Sequence, residues 1–504
     1  MASNYDKHIF RQLEDVLKKC DNLSQEIKDI KKQHQVEIYE LNKKHEKEIS
    51  KLNNKIDSLE KENAELKEKV DILEGKAIQK NSSNSNIPSS KDEYKIQNHR
   101  EKSNRKQGGQ KGRKGKTLTV EEVEKLIQNN KVEVVEEHYG NPETTKTTIK
   151  YIMDVKTKVV IKKIYIHGSI ENKEIPEECK NNSTVIYGND LKALVAIMYA
   201  QEVIAFDRMS EFLSILTDNI LKVSHGSLVN WVHSVSSKCK KPKKKLTRAL
   251  RNSKHMYTDA TTTSLNGKYA YERNYSNEII TVFEASRSKR IQEIQRQNIL
   301  PNFKGYIMHD HETGLYNFGI KSHHLECWIH LGRELKYFDE YIKNGWSKEL
   351  WNFAWELNKK RKELLQKNIT NFTSKELIEY GRKYDEIVQR GIKQNEETPS
   401  KYLRDKEKAV LNRLIKYKEN YLNFLKDFEL PFDDNLSERD LRATKLKKKV
   451  SGCHRSFEGL KDYSNLRTII GTCIKQGKSY FEFFRNILNN KPIPISKHGL
   501  IMMP

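Results

Sequence analysis

Two aspartates in the middle of the chain sit in strand-like segments, and convergent carboxylates are what divalent-metal chemistry needs. Asp259 lies within His255-Met-Tyr-Thr-Asp259-Ala-Thr-Thr-Thr-Ser264, and Asp310 closes Phe303-Lys-Gly-Tyr-Ile-Met-His-Asp310. Mg²⁺ is a hard cation that takes oxygen ligands, keeps several waters and leaves positions for a substrate phosphate. Two such ions ~3.5–4 Å apart activate an attacking oxygen and stabilise the leaving one in an in-line displacement. A third acid normally completes such a site. Candidates lie in Pro431-Phe-Asp433-Asp434-Asn435-Leu-Ser-Glu438-Arg439-Asp440. If residues 436–444 form a helix, Asn435 caps it and Glu438 completes a capping box, a purely structural use of that glutamate.

The elements around these acids follow a recognisable order. Leu265-Asn266-Gly267-Lys268 is an Asn-Gly hairpin turn, a strong short-range signal. Tyr269–Tyr275 and Ile279–Phe283 supply two further strands, and Ser288–Asn298 is helical before the strand that ends at Asp310. This β-β-β-α-β order, three antiparallel strands and a crossover into a parallel one, describes an RNase H-like core. The first and fourth strands are neighbours in that arrangement, so Asp259 and Asp310 converge. Residues 333–428 have a charge-rich helical pattern with Trp346, Trp351 and Trp355. An interval this long is expected to be a helical insertion rather than a loop.

Upstream, residues 189–237 read as short helices joined near Ile204–Phe206 and Ser224-His225-Gly226, a helix-turn-helix-like bundle with Ser224 as a cap. Lys238–Lys245 is a basic run suited to phosphate contact. Residues 132–167 alternate β-branched and charged side chains and predict a small antiparallel sheet. Residues 80–90 form a polar linker, and His99–Leu118 a cationic, glycine-containing arm. Gly115-Lys116-Thr117 suggests a P-loop, but Gln110 stands where that motif needs its first glycine, and no strand precedes it. At the N-terminus Ile49, Leu52, Ile56, Leu59, Asn63, Leu66, Val70 and Leu73 alternate in steps of three and four. That period predicts a coiled coil, and the polar Asn63 at an a position favours a parallel dimer.

Composition narrows the partners. The 504 residues carry 93 Lys+Arg against 69 Asp+Glu, a net charge of +24. Only 36% are hydrophobic, and mean hydropathy is −0.84. No run approaches the roughly 18 apolar residues of a spanning helix, and MASNYDKHIF lacks a signal-peptide pattern. The six cysteines are scattered, without a C-x-x-C pair, so disulfides and zinc knuckles are not expected and a cytoplasmic setting is. So positive a chain points to a polyanion, most plainly nucleic acid.

A series of segments resembles the insertion-sequence sixty-six transposases. They run from Asn81-Ser-Ser-Asn-Ser-Asn-Ile-Pro-Ser-Ser-Lys91-Asp92 and Gly108-Gly-Gln-Lys-Gly112 through Tyr187-Gly188-Asn-Asp-Leu-Lys-Ala-Leu194 and Ser224-His-Gly-Ser-Leu-Val-Asn-Trp231. The Asp259 and Asp310 segments follow, then Cys327-Trp-Ile-His330-Leu-Gly-Arg333-Glu334, Asp434-Asn-Leu-Ser-Glu438-Arg439, and Ser451-Gly452 with Arg455-Ser456. They cover nearly the whole chain in order. The resemblance implies a DDE transposase in which Asp259, Asp310 and Glu438 hold two Mg²⁺ or Mn²⁺ ions. It implies binding of double-stranded DNA, both transposon ends and target, with helper proteins of the same element as further partners. Cys327 and His330 match the family's C-x-x-H. Two ligands fall short of a structural zinc site, so packing or DNA-strand handling is the expected role. Arg439 tunes the adjacent carboxylate, touches DNA or is a surface pair. Two features depart from the family: the region around Cys179 lacks the paired cysteines of its zinc-binding subdomain, and Ala260-Thr261 follows Asp259 where many relatives have Glu-Thr.

The expected architecture is multidomain α+β. A coiled coil spans 1–76, a linker and basic arm 77–120, a small β-rich subdomain 121–186 and a helix-turn-helix-like bundle 187–250. The RNase H-like core spans 251–332 and 431–490, interrupted by a helical insertion over 333–430, with a tail at 491–504. Phosphate contacts are expected from Lys106, Lys111, Arg113, Lys114, Lys240, Lys241, Lys243, Lys244, Lys447, Lys448 and Arg455. A non-catalytic coiled-coil DNA-binding protein, or an inactive transposase remnant, shares the charge and the dimer seam; the three acids separate the two readings. An RNase H-type nuclease would account for the core but not for the coiled coil.

Overall fold

The computed structural model describes residues 4–73, 119–129, 132–136, 149–153, 158–167, 175–176, 179–180, 183–317 and 321–503. The basic arm, with Lys106, Lys111, Arg113 and Lys114, lies outside them. The chain divides into two units, 1–80 and 81–504.

The first unit is one helix, α1 (Asn4–Leu73). Seventy residues without proline and rich in Glu, Lys and Leu propagate a helix well; at 1.5 Å per residue it extends about 105 Å. Its seam residues Ile49, Leu52, Ile56 and Leu59 are all exposed.

The second unit is mixed α+β. Its five-stranded mixed sheet is flanked by helices, in keeping with an RNase H-like core, and has the order β3-β2-β1-β4-β5. The strands are β1 (His255–Leu265), β2 (Lys268–Ser276), β3 (Thr281–Ser286), β4 (Tyr306–His309) and β5 (His323–Glu326). Strands β1, β2 and β3 are antiparallel neighbours, while β4 runs parallel to β1 and β5 parallel to β4. Asn266 and Gly267 turn the first hairpin at φ 46° and 79°, the left-handed conformations that an Asn-Gly turn supplies. All five strands are in this sheet. The described parts of 132–167, where alternation suggests another, form no ladder, and Ile152 and Ile161 there are exposed. Helix α2 (Val120–Gln128) precedes them, closed by a Thr119–Glu122 capping box.

Strand alternation divides the core. Met256 and Ile307 face a large apolar layer that includes Leu228, Val235, Leu246, Ile469 and Phe483. That layer contains α3 (Asn189–Ala200), α5 (His225–Arg251), α14 (Phe457–Lys475) and α15 (Tyr480–Leu488), with α4 (Phe206–Leu216) packed on α5. Tyr257 and Met308 face the other way, with Leu325, Cys327 and Leu430. Helix α6 (Ile291–Gln297) and a 3-10 turn lead from β3 to β4, and the short α7 (Thr313–Tyr316) from β4 to β5.

Between β5 and α13 (Asn435–Ser451) stand α8 (Trp328–Tyr341), α9 (Trp346–Gln366), α10 (Ser374–Glu396), α11 (Lys401–Lys416) and α12 (Lys418–Lys426). The two ends of this excursion meet. The Trp328 amide donates to the Phe432 carbonyl at 3.2 Å, their rings stack at 5.9 Å, and the Trp328 indole N–H reaches the Tyr421 carbonyl. Inside it, Arg361 donates to the carbonyls of Phe428 and Leu430, fixing the return path. Among the described residues no helix is long and apolar enough to cross a membrane.

Gly305, just before β4, lets that strand lie against the residue preceding β1: a Cβ there would stand 2.3 Å from the Lys254 carbonyl oxygen. Because backbone cannot yield as a side chain does, Gly305→Ala is expected to destabilise the fold by about 3 kcal/mol, measured by urea unfolding. A cost below about 1 kcal/mol would show that β4 is free to shift.

Candidate active site

The parallel register pairs Tyr257 with Met308, so two residues further on Asp259 and Asp310 reach matching positions on adjacent chain segments. By strand alternation both share the face of Tyr257 and Met308. Helix α13 packs across β1 and β2 and carries Glu438 in its first turn over that face.

Several contacts hold this geometry. Beyond Asp310 the chain turns through His311 at φ 65°, a conformation costing a non-glycine residue roughly 1 kcal/mol. His311 Nδ1 is 2.7 Å from Glu326 Oε1, and the Tyr316 hydroxyl also donates to Glu326. Glu312 is gripped by both guanidinium nitrogens of Arg273, at 2.7 and 2.5 Å, and Arg273 is only 3% exposed. On the opposite face of β2, the fully buried Glu272 accepts from Thr444 of α13 and Ser464 of α14, both at 2.5 Å. It thereby ties the helix bearing Glu438 to the sheet. Arg273, Glu312, Glu272 and His311 could not be singled out from the sequence, because each matters only through a distant partner.

Glu438 does not close a capping box. Helix α13 begins at Asn435, which is exposed; the residue before it, Asp434, holds the N-cap position. Glu438 Oε1 instead meets His330 Nε2 at 3.2 Å and an Arg333 guanidinium nitrogen at 3.7 Å. His330 Nδ1 lies 3.2 Å from Cys327 Sγ, which also accepts the Asp434 amide at 3.2 Å. The C-x-x-H pair thus stands against the third acid. Arg439, one residue on, is exposed.

Burial and Asp310 push the Asp259 carboxyl up to about 6, despite a 2.5 Å hydrogen bond from the Ala260 amide and the charges of Lys445 and Arg273. The His330 hydrogen bond, aided by Arg333 and Lys445 against burial, holds Glu438 below the usual carboxylate range. Burial works against a charged His330, but its bonds to Cys327 and Glu438 raise it to about 11, so it is a cation here. Burial, Cys327 and Asp259 drive Asp434 well above the ordinary value.

A cluster of carboxyl oxygens suits a hard divalent cation, and the two oxygens of buried Asp434 have no hydrogen-bond partner. The donors therefore fit such an ion, although among the described residues no three His, Cys, Asp or Glu side chains are gathered tightly enough to enclose one. The bonds from His330 and Arg333 occupy Glu438 in this arrangement.

The cationic residues divide. Lys240, Lys241 and Lys244 are exposed along α5, as are Lys245 and Arg248; Arg455 is exposed, and Lys448 half-buried on α13. Lys243 and Lys447 are not surface groups. Lys243, 8% exposed, donates to the Phe283 carbonyl and Asn465 and pairs with Glu284 at 2.9 Å. Lys447, 5% exposed, lies over the Tyr199 ring at 4.1 Å, and burial lowers it to about 8. Their charges are used inside the fold.

The family model described as Transposase IS66 family matches residues 184–462, more than half of the chain. No curated protein matches it.

The Asp259 carboxyl, ordinarily at 3.8, is raised on folding. Its protonation therefore favours the folded state below pH 4, and this advantage is lost as pH rises through about 6. In chelator-treated protein Asp259→Asn should exceed the wild type in stability above pH 7, by up to about 3 kcal/mol, and not below pH 4. Urea unfolding across that range checks it; a pH-independent difference would contradict the assigned cause.

Proposed function

This chain belongs to the IS66 family of DDE transposases, and on that premise we propose that it cuts transposon-end DNA and joins the freed 3′ end to target DNA at Asp259, Asp310 and Glu438. DDE transposases are polynucleotidyl transferases that generally use divalent metal ions. The observation that carries the reading is the parallel pairing of Tyr257 with Met308, two residues before Asp259 and Asp310, under the helix that bears Glu438.

Two Mg²⁺ or Mn²⁺ ions, when bound, would lower the pKa of an attacking water or 3′-hydroxyl and offset charge on the scissile phosphate. The chain's own part is positional. Asp259 on β1 and Asp310 just past the end of β4 would present oxygens to one side of the sheet, and Glu438 would close the site from α13. His330, cationic and already bonded to Glu438, sets the direction of that carboxylate. The Arg273–Glu312 pair limits movement of the segment after Asp310.

DNA would approach along exposed cations. Lys240, Lys241, Lys244, Lys245 and Arg248 recur on the outer side of α5 at three- and four-residue spacing, and Lys445, Lys449 and Arg455 follow Glu438. Each phosphate contact releases counterions, so affinity falls steeply with salt. The exposed heptad seam of α1 supports a parallel homodimer, since such a stripe is stable when a second helix covers it.

Asp259→Asn, Asp310→Asn and Glu438→Gln should each reduce Mg²⁺-dependent cleavage of transposon-end DNA by at least about 10³-fold, with DNA binding retained in a gel-shift assay. Full cleavage by all three would leave a DNA-binding protein without this chemistry. Replacing Lys240, Lys241, Lys244 and Lys245 together by Ala should weaken DNA binding and flatten the salt dependence by about 0.9 in slope per lost contact. An unchanged slope would move the interface elsewhere. Leu52→Asp with Leu59→Asp should convert the full chain from dimer to monomer in analytical ultracentrifugation; a persistent dimer would exclude the seam.

A further inference from the structure

Asp434 is a buried acid without a structural occupation. It is 0% exposed, and both carboxyl oxygens lack a hydrogen-bond partner. An aspartate at an N-cap ordinarily accepts from the second or third amide of its helix. Asp434 occupies the N-cap of α13 and makes no such bond. Asp433 serves the turn instead, accepting the Asn435 amide at 3.0 Å. Among the described residues no lysine, arginine or histidine pairs with Asp434; its amide donates to Cys327 Sγ, its carbonyl accepts the Glu438 amide, and Ser437, the hydroxyl nearest its carboxyl, donates to that same carbonyl at 3.1 Å. Desolvating an unpaired carboxyl is costly, and nothing in its packing offsets the cost.

Its position suggests what does. Asp434 precedes Glu438 by four residues, one helical turn, so the two lie on the same side of α13. Asp259 and Asp310 are close enough for their charges to bear on it. Near the three carboxylates proposed for one site thus stands a fourth, sealed from water. No three described acids are gathered tightly enough here to enclose an ion, so a cation would have to draw them together. Mg²⁺ demands about six oxygens at short range, and a dry carboxyl beside the cluster supplies two more.

We propose that Asp434 is a fourth carboxylate ligand of the divalent-cation site, held in reserve behind Asp259 and Asp310 until a cation draws it in. This rests on the assignment of Asp259 and Asp310 as metal ligands. It also accounts for the contacts of Glu438: with His330 and Arg333 holding that side chain, Asp434 is the unencumbered acid on the same helix.

The test uses the full chain, stripped with chelator and titrated with MnCl₂, with affinity read by calorimetry and the melting temperature read with and without metal. Asp434→Asn should weaken Mn²⁺ binding by about tenfold or more and shrink the Mn²⁺-induced rise in melting temperature. The metal-free melting temperature should be unchanged or higher, because a buried unpaired acid is gone. Asp434→Ser, smaller than the space it would occupy, should behave alike. Wild-type Mn²⁺ affinity in either folded variant would overturn the proposal, as would failure of both to fold, which would make the carboxyl a structural group. Asp259→Asn is the control. If it loses Mn²⁺ binding while Asp434→Asn keeps it, only the fourth ligand fails; if both keep it, the metal-site reading itself fails.

Discussion

Like-charged carboxylates repel, and the repulsion grows as water is excluded; everything around Asp259, Asp310 and Glu438 answers to that constraint. Asp259 and Asp310 lie two residues beyond the last paired residues of β1 and β4, Tyr257 and Met308, so the register that builds the sheet also keeps them near each other. Burial and this repulsion together raise the Asp259 carboxyl, and surrounding cations offset part of the effect. Lys445 acts on both Asp259 and Glu438, while His330 and Arg333 serve Glu438 directly. Outside this ring, Arg273 and Glu312 neutralise each other and hold the segment after Asp310. The region is thus a concentration of negative charge held by a scaffold of directional bonds, and divalent-cation binding there belongs to the proposed function.

The same constraint explains why the scaffold around the site is polar where a sheet protein is usually apolar. Glu272 and Arg273 are consecutive on β2 and face opposite ways. One clamps α13 and α14 through hydroxyls, the other clamps the chain beyond β4. Each apolar layer supplies cohesion, but neither specifies where α13 sits along β1. Directional bonds do that, and a shift of one helical turn in α13 would remove Glu438 from the aspartates altogether.

Much of this was legible in the amino-acid order. The Asn-Gly turn and the alternation on either side gave β1 and β2 nearly to the residue, while the strand expected over 303–310 is shorter, Tyr306–His309, with Asp310 in the bend that follows. Local signals suffice where neighbours in sequence are neighbours in space. β5 was not anticipated: four residues, two of them histidines, carry no period, and only pairing with β4 makes them a strand. Asn435 was displaced as cap by Asp434 because the helix starts one residue earlier than its sequence pattern suggests. Lys243 was counted as a surface charge although Cys239 and Leu246, four residues before and three after, share its buried side of α5. That periodicity was the available signal. Lys447 had a weaker one, with Thr444 in place of a large apolar residue.

The meeting of Trp328 and Phe432 bears on the history of the chain. Five helices leave the sheet and come back to the point of departure, so to β4 and α13 they amount to a closed detour. Additions or deletions within such a detour leave both anchoring rings where they are. A change of length inside the detour therefore need not reach the sheet or α13. This makes the segment the place where the chain can be lengthened or shortened with the least disturbance to the elements that carry Asp259 and Glu438.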